Sequence, residues 1–140
     1  MTVEVLYVAD ALATGGVNGR VRSSDGLLNL DFATPQELGG SGGLGTNSEQ
    51  LLAAGYAVSF LEAINHVAIQ AGIDVSRRAS VEGNVGVGAL YLGGGLEIEL
   101  VISVPELERR EVDYLVRKAH AICLYSKATR GNINLKISLI

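Results

Sequence analysis

NSEQLLAAGYAVSFLEAINHVAIQAG, residues 47–72, reads as one long helix over 48–71. Asn47 suits the N-cap, with Gln50 three residues on in a capping-box arrangement, and Thr46 with Glu49 offers the same signature one residue earlier. Gly72 supplies the stop. Leu51, Leu52, Ala54, Tyr56, Val58, Leu61, Ile64, Val67, Ala68 and Ile69 make the segment apolar almost all round, which is the pattern of a central helix. Its polar stripe is Ser59, Glu62, His66 and Gln70, spaced three to four apart on one side.

Working outward, residues 2–14 are rich in Val, Leu and Ala and read as a strand ended by Gly15-Gly16. Asn18-Gly19 signals a hairpin, and Ser24-Asp25-Gly26 a second turn. Leu28, Leu30 and Phe32 alternate with polar neighbours, completing a three-stranded meander. The glycines at 39, 40, 42, 43 and 45 mark a loop without the Lys-Ser/Thr ending of a phosphate cradle. Beyond the helix, 79–88 reads as a strand, Gly93-Gly94-Gly95 as a turn and 96–104 as a strand stopped by Pro105. An amphipathic helix over 106–122 and a strand over 132–140 finish the chain. Strands segregated from two helices predict an α+β fold, one domain over 1–140.

Length and composition fit that reading. At 140 residues the chain is one ordinary domain; it is 48% hydrophobic, with 5% aromatics and no Trp, so Val, Ile, Leu and Ala must build the core. Such an apolar excess in a small chain predicts a face covered by another subunit. Net charge is −4 with no basic run, which argues against a nucleic-acid partner. The longest apolar stretch, Leu51–Leu61, falls short of the roughly 18 residues of a membrane span. The first ten residues carry no secretory pattern, and a single cysteine, Cys123, excludes an internal disulfide; a reducing cytoplasm is expected.

Several strings are more specific. Ala13-Thr14-Gly15-Gly16, Ser23-Ser24-Asp25-Gly26, Glu37-Leu38-Gly39-Gly40, Gly45-Thr46-Asn47 with Glu49-Gln50-Leu51, and Ala53-Ala54-Gly55-Tyr56 occur in that order. Near the end come Ala119-His120, Cys123, Tyr125-Ser126 and Ala128-Thr129-Arg130-Gly131-Asn132. Together they closely resemble the organic hydroperoxide resistance branch of the OsmC/Ohr family, across nearly the whole chain. The resemblance implies an OsmC-like fold, with antiparallel sheets around two central helices in an intertwined homodimer. It also implies reduction of organic or lipid hydroperoxides by a peroxidatic cysteine on the long helix, resolved by a second cysteine near the other helix. A lipoyl-bearing protein would then reduce the disulfide, and an arginine and a glutamate would hold the attacking thiolate.

Position by position, the match departs where the chemistry sits. Ser59 precedes Phe60 where the family has its peroxidatic cysteine, and Val17 follows Thr14-Gly15-Gly16 where the family has arginine. Cys123 keeps the resolving position but is followed by Leu124 rather than proline, and Glu49 keeps the glutamate. These linked departures read as natural divergence rather than an engineered knockout. A hydroxyl cannot replace the thiol, because oxygen does not climb the sulfur oxidation ladder. The expectation is therefore an Ohr-like protein with impaired or absent peroxidase activity. The alternative is a non-catalytic dimer that binds a lipophilic small molecule in the family's interface pocket; one-cysteine chemistry at Cys123 is a third reading. No cofactor is called for, and His66 and His120 lack neighbours at metal-ligand spacing, so no metal is expected. If the helix is continuous, Glu49 stands about 15 Å along its axis from Ser59.

Overall fold

Turn chemistry and period-2 alternation build the first sheet. Strands β1 (Leu12–Gly15), β2 (Asn18–Arg22) and β3 (Asn29–Ala33) form an antiparallel meander in that order, with Thr14 opposite Arg20 and Val21 opposite Leu30. The structure is a computed structural model that describes residues 2–16, 18–89 and 94–140. Val17 and the first glycine of the turn expected at 93–95 lie outside the described residues. The chain divides into two compact units, Met1–Ser48 and Glu49–Ile140.

Within the first unit, the strand expected over 2–14 is reduced to Leu12–Gly15. A strand persists only where a second backbone takes up its hydrogen bonds. Residues 2–11 find no ladder partner among the described residues, and Val3, Leu6, Tyr7 and Val8 are exposed. Asp10 is tied back, its carboxylate accepting from the Ser24 N–H at 3.0 Å and the Ser24 hydroxyl at 2.7 Å. Gly15 pairs with Gly19, so Asn18 and Gly19 belong to β2 rather than to the turn. A Cβ on Gly19 would lie 2.0 Å from the Thr14 carbonyl oxygen, so this close approach requires glycine.

The second unit is organised by α1 (Ser48–Ala71), continuous over 24 residues as its caps and composition predict. Tyr56, Phe60, Ala63, Ile64, Val67 and Ala68 form its buried face. They join Ile98, Leu100 and Ile102 of β5 (Leu96–Ser103) and Leu115 and Ala119 of α2 (Arg109–Ile122) in one core. The opposite side of α1 is exposed among the described residues, with Val58 57% and Ile69 79% accessible. By length and composition α1 is apolar enough to cross a bilayer, which the shorter uninterrupted stretch read from the sequence did not register. It nevertheless supplies the largest side chains of the unit's core, the expected role of a central helix.

Strand β4 (Ser80–Val87) pairs antiparallel with β5, whereas β6 (Asn134–Leu139) pairs parallel with it. The sheet is thus mixed rather than wholly antiparallel, because two helices carry the chain between β5 and β6 and return it in the same direction. Helix α2 starts at Arg109 instead of residue 106. Glu106 adopts φ 74, and Glu108 closes a capping box with Glu111, which places the helix start three residues later. A short helix absent from the sequence reading, α3 (Leu124–Thr129), follows directly.

Candidate functional site

Cys123 occupies the joint between α2 and α3. Its N–H donates to the Ala119 carbonyl at 2.8 Å and its own carbonyl accepts from the Lys127 N–H at 3.0 Å, with extended backbone between (φ −60, ψ 125). That bend turns the side chain inward, where it is 2% exposed. Ser59, half-buried on α1, places its Oγ 3.5 Å from the Cys123 Sγ, although 64 residues separate the two. The two positions singled out from the sequence are therefore in contact, with oxygen on one side and sulfur on the other.

The remaining expected residues do not join them. Glu49 lies in the first turn of the unbroken α1, ten residues and about 15 Å along the axis before Ser59. Val17 lies outside the described residues. Arg20, three residues beyond Val17, is engaged within its own sheet: Nη1 donates to Asp31 at 2.6 Å and Nε to the Asn29 side chain at 2.8 Å. Among the described residues no three His, Cys, Asp or Glu side chains come together to hold a metal ion.

Sequence reasoning missed a buried cluster of hydroxyls one turn from this pair. Tyr56 Oη lies 2.7 Å from Ser126 Oγ and 3.3 Å from Thr129 Oγ1, and the Thr129 hydroxyl donates to the Ser126 carbonyl at 3.3 Å. The Tyr56 and Tyr125 rings meet at 5.6 Å between centroids, tilted by 50°. The available signal was a tyrosine on the buried face of a helix, whose hydroxyl must find a partner.

His120 precedes Cys123 by three residues. Its Nδ1 is buried with no hydrogen-bond partner among the described residues, while its carbonyl accepts from Arg130 Nη2 at 2.9 Å. Burial first, and the Arg130 guanidinium second, hold the imidazole below its usual value of 6.5. The folded chain therefore binds this proton less readily than the unfolded one. The group's contribution to stability is complete above the unfolded pKa of about 6.5 and is lost as pH falls from there toward the lower folded value. Asp25, held low chiefly by the Ser23 hydroxyl, and Glu99, held low chiefly by Ser138, titrate below this window. Melting temperatures measured from about pH 7.5 down to about pH 5.5 should fall more steeply for the native chain than for His120→Gln. Parallel slopes would remove His120 from the account.

The comparisons with known proteins identify the family and the fold. The family model described as OsmC-like protein matches residues 40–138. An organic hydroperoxide resistance protein of Xanthomonas axonopodis pv. citri is 48% identical over 136 residues, covering 97% of this chain and 96% of the relative. The crystal structure of an organic hydroperoxide resistance protein OsmC from Legionella pneumophila superposes with a TM-score of 0.88 at 44% identity, covering 97% of this chain and 98% of that one. A Vibrio cholerae structure, of a putative organic hydroperoxide resistance protein with captopril bound in one of its active sites, gives a TM-score of 0.88 at 40% identity, covering 99% and 95%. With a family model matching residues 40–138 and relatives of this similarity along its length, the chain belongs to the OsmC family.

Proposed function

We propose that this chain is a homodimeric, single-domain member of the organic hydroperoxide resistance group whose peroxidase activity is impaired or absent. The observation that carries the reading is the 3.5 Å contact between Ser59 Oγ and Cys123 Sγ. Peroxide reduction needs a thiolate that attacks the peroxide oxygen, becomes a sulfenic acid and is captured by a second thiol. Cys123 retains the capturing position, but Ser59 presents an alcohol, which is far less acidic and forms no sulfenic acid. Glu49 remains on α1, and Val17 supplies no guanidinium where the family carries one. Dimerisation is supported by the apolar side chains this chain leaves uncovered, among them Val58 and Ile69 on α1 and Val3, Leu6 and Val8 near the start. The lone cysteine supports a cytoplasmic setting.

Purified protein incubated with an organic hydroperoxide and a dithiol such as dihydrolipoamide should consume no more peroxide than the buffer control. Turnover matching that of a two-cysteine relative would overturn the reading. A second reading, non-catalytic binding of a lipophilic small molecule, is favoured by the captopril held in one active site of the Vibrio relative. Native mass spectrometry of protein isolated from cells would then show a co-purifying organic ligand. Its repeated absence, with no thermal shift on adding fatty-acid-like ligands, would count against that reading.

A further inference from the structure

We propose that the Tyr56–Ser126–Thr129 hydroxyl cluster is a positioning device that sets the spacing of the Ser59–Cys123 pair. The inference rests on the reading of that pair as the family's site. Tyr56 and Ser59 lie three residues apart on α1, and Cys123 and Ser126 lie three residues apart across the first turn of α3. Tyr56 meets Ser126 at 2.7 Å and Ser59 meets Cys123 at 3.5 Å, so the two segments run antiparallel and touch at two successive rungs. The rungs are one helical turn apart, about 4.5 Å along the axis.

The first rung is suited to holding the second. Tyr56 and Ser126 are fully buried and Thr129 is 7% exposed. One arrangement places all three protons: Ser126 Oγ donates to Tyr56 Oη, Tyr56 Oη to Thr129 Oγ1, and Thr129 Oγ1 to the Ser126 carbonyl. A closed buried network of this kind is stiff, because opening it leaves desolvated hydroxyls without partners. Gly55 adds to the fit: a Cβ there would lie 3.0 Å from the Tyr125 hydroxyl, so the glycine lets the Tyr125 ring close against α1 beside Tyr56.

The test reads the thiol directly. Cys123 is 2% exposed, so alkylation by iodoacetamide reports how often the joint opens. Tyr56→Phe and Ser126→Ala should each speed alkylation about tenfold, the factor for one buried hydrogen bond, and the double variant should add little to either. Ser138→Ala, which removes a bond of 2.8 Å to Glu99 between β6 and β5, should leave the rate within about twofold. Thr129→Val removes one hydroxyl at nearly constant volume and serves if Tyr56→Phe fails to fold. Unchanged rates, additive effects, or equal acceleration by Ser138→Ala would each overturn the proposal.

A second measurement separates it from the reading beneath it. In Ser59→Cys, oxidised glutathione should accept two electrons from the introduced thiol and Cys123, releasing two glutathione thiols as one protein disulfide forms. No disulfide would overturn the reading of the pair. A disulfide whose equilibrium constant is the same with and without Tyr56→Phe would overturn the positioning device.

Discussion

Replacing Ser59 by cysteine is expected to raise hydroperoxide-dependent oxidation of a dithiol by at least about a thousandfold over the native chain, the scale on which covalent catalysts lose rate without their nucleophile. The reaction balances as one hydroperoxide reduced to alcohol and water while two protein thiols become a disulfide. The added dithiol then returns both thiols to the reduced state. Geometry favours the step that follows attack. The side chain at 59 already lies 3.5 Å from Cys123 Sγ, and a disulfide needs about 2.05 Å, so closure requires roughly 1.5 Å of movement. A rotamer adjustment of one side chain covers that distance.

Adding Val17→Arg restores the arginine of the family pattern; on the proposed reading it should raise the rate further at neutral pH and move the rising limb of the pH–rate profile downward, because a guanidinium serving the thiolate as the family's does favours the charged form. The single variant tests the nucleophile and the double variant the electrostatics. A double variant no faster than the native chain would show that more than these two positions separate it from a peroxidase. Recovery in Ser59→Cys alone, with no change in the profile on adding the arginine, would remove Val17 from the explanation.

Periodicity was sufficient wherever one face of an element is buried by its own chain. The spacing of Tyr56, Ile64, Val67 and Ala68 and the alternation Ile98, Leu100, Ile102 predict α1 and β5, and both elements lie where expected with those residues inside. It failed where the outcome depends on a partner backbone or on direction. Residues 2–11 have strand composition but no ladder within the described chain, and β6 has a clear alternation that says nothing about running parallel to β5. Helix α3 is six residues long, too short for an amphipathic period to register. The candidate pair was singled out only through resemblance to a family. Nothing in the spacing of Ser59 and Cys123, 64 residues apart, announces a 3.5 Å contact. The hydroxyl cluster was hidden because Tyr56 counts as apolar in a helical pattern while its hydroxyl demands a polar neighbour in the core.

Phe60→Ala is expected to cost about 3–5 kcal/mol, the largest stability effect of a single side chain in this unit. Phe60 sits next to the candidate nucleophile position but faces the other way, fully buried with Ile64, Leu100 and Leu115. Truncation removes the ring and leaves a cavity that the sheet and α2 cannot close without moving their own backbones. For a chain of this length the loss should lower the melting temperature by at least about 10 °C. Val58→Ala supplies the contrast two residues away. Its side chain is 57% exposed in one chain, so a solitary chain should lose less than about 1 kcal/mol on truncation. A second copy packed on that face would raise the cost and make the melting temperature depend on protein concentration. The pair of substitutions thus separates the stability that α1 draws from its own sheet from any that it draws across a dimer. A small effect at Phe60 would contradict the core described for Glu49–Ile140. A concentration-independent, near-silent Val58→Ala would leave that side of α1 bare.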